Sequence, residues 1–159
     1  MVTYTTIDTP DGPFTVIERD GAVVAAAWSA EPAQVAARAG LEGARPGECA
    51  SALAVRAYYD GDATALAGVA LDVAGTEFRQ RVWAALRAIP AGEVRTYGQV
   101  AAAVGSPAAS RAVGGACGAN PVALFIPCHR VQGAGGSLTG FAWGTDIKES
   151  LLAREAQVA

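Results

Sequence analysis

The sequence predicts an α+β fold in two domains, and three features of the chain support this prediction. Short apolar runs alternate with turn residues in the first third, which is typical of an antiparallel meander. After residue 75 apolar residues recur at helical spacing, and the glycine-rich stretch 131–144 interrupts the helices. We therefore divide the chain into an N-terminal domain, residues 1–74, and a C-terminal domain, residues 75–159.

The N-terminal domain is predicted to be a scaffold. The runs VTYTTI, FTVIE and AVVAAAW are separated by TPDGP and RDG, so we expect three antiparallel strands. Residues 31–39 and 48–60 have helical patterns, and residues 69–73, VALDV, are expected to form a further strand. No grouping of catalytic residue types occurs in this part of the sequence.

The C-terminal domain begins with three predicted helices. Thr76 is a suitable N-cap for the first, residues 76–89, which carries an apolar stripe. Residues 96–105 form the second, and residues 106–120 form the third, with Ser106 as its cap. Two short helices joined by a tight turn that contains glycine are typical of a helix-turn-helix.

Three further elements complete this domain. Residues 121–128, PVALFIPC, are predicted to be a buried strand. Residues 131–144 are expected to form a hairpin or wing, and residues 145–156 an amphipathic helix.

Charge is distributed unevenly along a chain whose net charge is −3. Residues 1–75 carry four Arg and ten Asp or Glu, whereas residues 76–131 carry six Arg and two Glu. This basic zone is either a surface that faces an anion or a chance segregation of solvated charges. No apolar run has the length of a membrane span, and the three cysteines are scattered, which favours a reducing compartment.

The third predicted helix is unusual for a helix that reads DNA. Between residues 108 and 119 its only cation is Arg111, and the adjacent Gly114 and Gly115 cost about 1 kcal/mol each relative to alanine. The small residues either pack inside the protein or allow close approach to a minor groove about 6 Å wide. In the second case Arg111 is long enough to enter the duplex.

Cys128 and His129 stand side by side, and His129 is the only histidine. A Cys–His hydrolase needs the imidazole in direct contact with the sulfur, and a zinc site normally needs four ligands. Neither requirement is met. Two interpretations stay open, namely a thiol activated indirectly through a water and a carboxylate, or a buried small residue beside a satisfied hydrogen-bonder.

The stretch PCHRV, residues 127–131, strongly resembles the active-site motif of the O6-alkylguanine-DNA alkyltransferases. The resemblance covers about residues 75–156, through GTEFRQRVWAALRAIPAGEVRTYGQVA, SRAVGGACGANP, FIPCHRV and KESLLARE in family order. Residues 1–74 match only loosely. The resemblance implies a small N-terminal α/β domain of ribonuclease H-like type and a C-terminal catalytic domain of helix-turn-helix, winged-helix-like type.

The resemblance also assigns chemical roles. Cys128 would be the alkyl acceptor, and His129 would take the thiol proton through a water. Glu155 would hold the imidazole, and Tyr97 would donate a hydrogen bond or proton to the departing guanine.

Seven further residues would contact DNA or the base. Arg111 would fill the gap left by a flipped nucleotide, and Asn120 would hold the turn before the active site. Val131 and the backbone near Phe141 would line the base pocket. The remaining members of the DNA-contacting set are Ala112, Gly114 and Gly115.

The implied activity is repair of O6-alkylguanine, and of O4-alkylthymine, by irreversible transfer of the alkyl group to Cys128. A thioether gives water no leaving group, so each molecule would react once. The expected partner is double-stranded DNA, bound through its minor groove by a cytoplasmic monomer. No metal, no cofactor, no membrane and no obligate protein partner are expected.

Two positions depart from the family pattern, and two other functions would each require residues that differ from those of this chain. Phe141 stands where a tyrosine is common, and Trp143 stands where many members have glycine, which is expected to narrow the pocket. A non-reactive damage sensor would carry tryptophan in place of Cys128. A transcription regulator would need side chains that read bases on residues 108–119, where this chain has almost none.

Overall fold

The computed structural model describes residues 1–136 and 141–157, and the fold is α+β as predicted. No helix in the described part of the chain is long and apolar enough to cross a membrane.

The chain folds into two compact units. One comprises Met1–Ala74 and Pro121–Phe125, and the other comprises Gly75–Asn120 and Ile126–Ala159. Residues 121–125 therefore belong to the first unit, although they follow most of the second in sequence.

The first unit contains a four-stranded sheet in the order β3-β2-β1-β4. Its strands are β1 Val2–Thr9, β2 Gly12–Arg19, β3 Ala22–Ala27 and β4 Arg45–Pro46. The first three are antiparallel neighbours, and β4 pairs in parallel with β1, so the predicted meander is confirmed. Asp20 and Gly21 connect β2 to β3 with positive φ at both residues, the geometry of a two-residue hairpin turn.

Two helices of the first unit pack against this sheet, and both were predicted. Helix α1, Pro32–Arg38, contacts β2 and β3, and helix α2, Ala50–Tyr59, contacts β1 and β2. The predicted strand over residues 69–73 is wrong. Only Leu71 pairs with Val23, as an isolated bridge, because the hydrogen bonds to the sheet extend no further.

The second unit is built on helices. They are α3 Glu77–Arg87, α4 Tyr97–Ala103, α5 Ser110–Gly118 and α6 Thr145–Ala156, with the short parallel strands β5 Arg95–Thr96 and β6 Val131–Gln132. Helices α3, α4 and α5 pack on one another. Thr76 caps α3 as predicted, since its hydroxyl accepts a hydrogen bond from the backbone N of Arg79.

Helix α5 begins four residues later than predicted. Ser106 is not its cap, because residues 106–109 form a separate turn closed by a 2.9 Å hydrogen bond from Ala109 N to Ser106 O. The helix starts at Ser110 instead. The connection from α4 is therefore longer than the tight turn expected, and the helix-turn-helix assignment stays a prediction.

Residues 121–128 are buried throughout, but they do not form the predicted strand. Leu124 has a φ of 71°, which lies outside the extended region, so the backbone turns there. A 2.8 Å backbone hydrogen bond across Pro127 turns it again, as in a γ-turn. Cys128 consequently starts a short 3-10 turn that ends at Arg130.

Replacing Gly75 by alanine should destabilise the second unit. A Cβ at this position would lie 2.6 Å from the ring of Trp83, whose indole N–H donates a 2.9 Å hydrogen bond to Ala116 O and so joins α3 to α5. Displacing a buried ring of this kind costs about 1–3 kcal/mol. We expect Gly75→Ala to lower the urea midpoint accordingly. Gly68→Ala, where a Cβ meets nothing within 4 Å, is the control, and equal midpoints for the two variants would contradict the prediction.

Candidate active site

Cys128 lies in a buried environment at the start of the 3-10 turn, with 6% of its surface exposed. The side-chain amide of Asn120 donates hydrogen bonds to Cys128 Sγ at 3.1 Å and to Ile126 O at 3.0 Å. Asn120 follows α5 and is completely buried. It therefore ties the end of this helix to the thiol and places an N–H donor against the sulfur.

His129 and Glu155 form a buried pair. The distance between His129 Nε2 and Glu155 Oε2 is 2.6 Å, and each side chain is only 1% exposed. Glu155 lies in the last turn of α6, so this helix brings the carboxylate to the histidine beside the thiol.

Arg130 completes the surroundings of the carboxylate. Its Nε donates to the second oxygen of Glu155 at 2.7 Å, and its Nη1 donates to Ile89 O at 2.7 Å. Arg130 is itself buried. Both oxygens of the carboxylate therefore accept hydrogen bonds, and the guanidinium is anchored to the segment that follows α3.

The charge states of this pair follow from its surroundings. Burial alone raises the pKa of Glu155, but the hydrogen bonds and charges of His129 and Arg130 outweigh it and hold the pKa at about 2. Burial, together with the charges of Arg130 and Lys148, lowers the pKa of His129 by more than Glu155 raises it. The pair is therefore an ionised carboxylate and a neutral imidazole at pH 7.

The tautomer of His129 follows from these charges. An ionised carboxylate only accepts hydrogen bonds, so Nε2 must carry the ring proton. Nδ1 is buried and makes no hydrogen bond to any residue that the structure describes. Its lone pair is available to accept a proton.

Two cysteines share the environment of the site. Cys128 Sγ donates a 3.7 Å hydrogen bond to Cys117 O, and the two thiols are close enough for each to shift the pKa of the other. The interaction lowers the pKa of Cys117, whereas the same interaction, burial and the neighbouring charge raise the pKa of Cys128 well above its ordinary value. Loss of one proton from the pair is thus favoured over loss of two.

Lys148 is a buried cation on α6, with 1% of its surface exposed. Its Nζ donates to Val131 O at 2.7 Å and lies 5.9 Å from the ring centre of Phe141. Burial lowers the pKa of Lys148, although charge on Cys117 or Cys128 would raise it. The ammonium therefore favours an anion on the thiols and fixes the backbone of Val131.

Tyr97 is the first residue of α4 and is half-buried. A capping box holds the helix start, since the hydroxyl of Thr96 accepts from Gln99 N and the side chain of Gln99 accepts from Thr96 N. Burial raises the pKa of Tyr97, and the charges of Cys117 and Cys128 raise it further. The phenol is therefore protonated at pH 7 and lies within electrostatic reach of the thiols.

Helix α5 has one buried and one exposed face. Val113, Ala116 and Cys117 are buried, while the exposed positions are Ser110, Arg111, Ala112, Gly115 and Gly118. A Cβ built on Gly114, Gly115 or Gly118 would meet nothing within 4 Å. Packing inside the described protein therefore does not require these glycines. The interpretation that the small residues of α5 serve internal packing is not supported at these three positions.

The basic zone of the sequence, residues 76–131, is only partly an exposed surface. Arg111 is exposed on α5, but Arg130 is buried against Glu155. The predicted anion-facing surface therefore lacks Arg130, because this cation is required inside the unit.

Comparisons with known proteins identify the family. A model of the 6-O-methylguanine DNA methyltransferase DNA binding domain matches residues 77–157. The methylated-DNA–protein-cysteine methyltransferase of Mycolicibacterium paratuberculosis is 42% identical over 158 residues, which cover 98% of this chain and 93% of the relative. The chain belongs to the 6-O-methylguanine DNA methyltransferase family. The family predicted from PCHRV is confirmed, and so is the enzyme class, a protein-cysteine methyltransferase.

Two solved structures of the family from Mycobacterium tuberculosis match the whole fold. The O6-methylguanine methyltransferase has a TM-score of 0.82 and 41% identity, and the alignment covers 100% of this chain and 95% of that one. A second structure, of the same organism's protein in complex with DNA, has a TM-score of 0.84 and 38% identity, with coverages of 99% and 94%. The alignments with these two family structures therefore include both units of this chain.

The predicted pocket residues of this methyltransferase lie in its second unit. Val131 is buried in β6, and Phe141 is half-buried and packs edge-on against Trp143 with ring centres 5.3 Å apart. The predicted hairpin or wing, residues 131–144, falls partly on residues 137–140, which lie outside the described residues.

Sequence reasoning gave no role to Arg130 or Lys148, although both are buried beside the site. A signal for Lys148 was present in α6. Lys148, Leu151 and Glu155 are spaced as one helical stripe, and all three are buried. An apolar residue between two charged ones on one stripe indicates that the charges face the interior with it.

Proposed function

We propose that this protein repairs DNA by moving the alkyl group of O6-alkylguanine, and of O4-alkylthymine, irreversibly to Sγ of Cys128. The observation that carries the proposal is the buried hydrogen bond between His129 Nε2 and Glu155 Oε2, which are 2.6 Å apart. His129 directly follows Cys128, whose thiol is also buried. A neutral imidazole held by a carboxylate is suited to remove a proton from a nucleophile.

The transfer proceeds in one displacement. His129 Nδ1 takes the proton of Cys128 through a water, and Glu155 stabilises the imidazolium that forms. The sulfur then forms a bond to the alkyl carbon while the bond from carbon to guanine O6 breaks, and its electron pair goes to the purine. Tyr97 donates a hydrogen bond or proton to the departing base, because an anionic purine leaves poorly without one.

The raised pKa of Cys128 agrees with a mechanism in which Cys128 is the nucleophile and His129 is its base. The thiol stays protonated at neutral pH, so it needs a base, and His129 supplies one. Asn120 Nδ2, 3.1 Å from the sulfur, and the buried ammonium of Lys148 then stabilise the thiolate as it forms. The product is a thioether, which has no leaving group for water, so each molecule reacts once.

We propose further that α5 enters the minor groove of double-stranded DNA. Its exposed face carries glycine and alanine, which allow the helix to approach the duplex closely. Ala112, Gly114 and Gly115 lie in this part of α5, with Arg111 as its long cation. Arg111 enters the stack as the damaged nucleotide is flipped towards Cys128, at a cost of about a few kcal/mol. Val131 and Phe141 line the pocket that receives the base.

Several finer features rest on the family resemblance. We propose a ribonuclease H-like scaffold domain over residues 1–74 and a winged-helix-like domain over 75–159 that binds DNA and accepts the alkyl group. A cytoplasmic monomer without an obligate protein partner fits these roles.

The decisive experiment adds a duplex with one O6-methylguanine to the protein and follows the intact mass. We expect a gain of one CH2 group, located on Cys128 by peptide mapping, with one methyl group transferred per molecule. Binding without a mass gain would indicate a damage sensor instead. Several repaired lesions per molecule would exclude the single-turnover mechanism.

Arg111→Ala should slow repair of duplex DNA more than it slows reaction with the free base. Loss of an inserted arginine costs about 1–3 kcal/mol, or roughly 5- to 150-fold in single-turnover rate on a duplex. Free O6-methylguanine needs no flipping, so its reaction should change little. Arg45→Ala, which removes an exposed arginine from β4 in the first unit, is the control. Equal losses on both substrates would contradict the flipping role.

Gly115→Ala should stabilise the protein and weaken its binding to DNA. Alanine is better than glycine inside a helix by about 1 kcal/mol, and the new methyl group meets no protein atom within 4 Å. The same methyl group would stand between α5 and the duplex. We expect a higher melting temperature together with a lower affinity in a fluorescence anisotropy titration. An unchanged affinity would place the groove contact elsewhere, and Gly68→Ala serves as the control.

A further inference from the structure

The proposed mechanism leaves Cys117 without a role, although this residue lies beside the acceptor. Cys117 is in the last turn of α5, on its buried face, with 7% of its surface exposed. Its carbonyl oxygen accepts a 3.7 Å hydrogen bond from Cys128 Sγ, so the acceptor sulfur lies beside residue 117. The second unit thus holds two buried cysteines next to each other, which come from different elements of the chain.

The chemistry of this pair is that of two neighbouring thiols, of which Cys117 loses its proton first. The interaction with Cys128 lowers the pKa of Cys117, and the charge of Lys148 lowers it further, against the opposite effect of burial. Thiol–disulfide chemistry requires a thiolate as the attacking group. Cys117 is therefore suited to attack an oxidised sulfur on Cys128.

We propose that Cys117 is the resolving thiol of a reversible intramolecular disulfide with Cys128, formed when the protein meets hydrogen peroxide. His129 takes the proton of Cys128 through a water, the sulfur attacks one peroxide oxygen, and the O–O bond breaks to give a sulfenic acid and a hydroxide, which receives that proton and becomes water. The thiolate of Cys117 then attacks the oxidised sulfur, forming the S–S bond, and the hydroxyl group leaves with the proton that Cys117 lost, as a second water. The two cysteines are oxidised by two electrons in total, and one peroxide is reduced.

Disulfide formation has a consequence for repair. A sulfenic acid that is not captured proceeds to sulfinic acid, which common thiol reductants do not reverse. A Cys117–Cys128 disulfide stops the oxidation at a stage that thiols of a reducing compartment reverse. The protein would be inactive while oxidised and recoverable afterwards, so its single reaction would remain available for a lesion.

Cys49 provides a matched control. It is a buried free cysteine of the first unit, and its sulfur contacts Thr3 and Val16 rather than another thiol. It has the reactivity of an isolated buried cysteine and has no resolving partner among these contacts. Its replacement by serine should not alter the oxidation product.

The experiment treats the full chain with hydrogen peroxide in the absence of DNA and measures intact mass and peptide maps without reduction. We expect wild type and Cys49→Ser to lose two hydrogen atoms and to yield a peptide cross-linked between Cys117 and Cys128. Dithiothreitol should restore the two hydrogen atoms. Cys117→Ser should instead gain two oxygen atoms on Cys128, and dithiothreitol should not remove them.

Two outcomes would overturn the proposal. One is a wild-type protein that gains two oxygens on Cys128 as Cys117→Ser does, and the other is a disulfide that involves Cys49 or a second molecule. The wild-type peptide map decides the question even if Cys117→Ser does not fold. The oxidation is measured without DNA, so its result does not depend on methyl transfer. Absence of methyl transfer would therefore not contradict the disulfide proposal, and absence of the disulfide would not contradict the transfer proposal.

Discussion

Cys128→Ser should abolish methyl transfer while the protein still binds duplex DNA. A serine hydroxyl is far harder to deprotonate than a thiol, and His129 with its lowered pKa is too weak a base to ionise it. Loss of a nucleophile reduces the rates of covalent catalysis by about 10⁴-fold or more. We therefore expect no gain of a CH2 group in a single-turnover assay.

The affinity for DNA is the second readout of this variant. Cys128 is buried, whereas the face of α5 proposed to contact DNA is exposed, so anisotropy titrations of wild type and Cys128→Ser should agree. Cys49→Ser, in the first unit, should retain both activities. A parallel loss of binding in Cys128→Ser would show that the thiol is needed for structure, and methylation at another residue would remove Cys128 from its role as acceptor.

Glu155→Gln should have the next largest effect, on both rate and stability. The amide has the shape of the carboxylate but no charge to stabilise an imidazolium on His129, so transfer should slow by about 10²–10⁴-fold. It also leaves the buried Arg130 without its counter-ion, and breaking a buried ion pair costs about 3–5 kcal/mol.

Glu149→Gln separates these effects from a general consequence of changing α6. Glu149 is an exposed carboxylate on the same helix, so this variant removes the same charge without touching the site. We expect wild-type rate and stability for it. A transfer rate in Glu155→Gln within a few-fold of wild type would show that the carboxylate does not support the base.

The pH dependence of stability provides an independent check on Glu155. Its pKa is lowered in the folded protein from 4.5 to about 2, so it contributes stability above pH 4.5 that is lost as the pH falls through 2. The lowered pKa of His129 acts in the same direction, beginning below about 6.5. Wild type should lose about 3 kcal/mol more than Glu155→Gln between pH 5 and 2, measured by urea unfolding.

The elements with a clear local signal could be predicted from the sequence. The meander of β1 to β3 followed from alternating apolar runs and the Asp20–Gly21 turn, and α6 from its helical pattern over residues 145–156. Elements that depend on distant partners were missed. Residues 121–128 look like a strand in composition, but positive φ at Leu124 and the turn at Pro127 give them another shape.

The candidate site shows the same difference between features with a local sequence signal and features that depend on distant residues. The resemblance carried by PCHRV and LLARE predicted the roles of Cys128, His129 and Glu155, because these motifs stand in the family's order along the chain. The sequence could not place Cys117 beside Cys128, since the two residues are 11 positions apart and lie in different elements.

The amino-acid sequence by itself determined the family and predicted the acceptor thiol, the base with its carboxylate, and the glycine-rich helix with one arginine. Only the tertiary structure decided that Arg130 and Lys148 turn inward, that Nδ1 of His129 is the available nitrogen, and that Cys117 lies beside Cys128. The physical reason is that helical spacing specifies which side of an element is buried. The groups that this side meets are specified by the packing of elements far apart in the chain, and that packing sets both the hydrogen bonds and the charge states of the site.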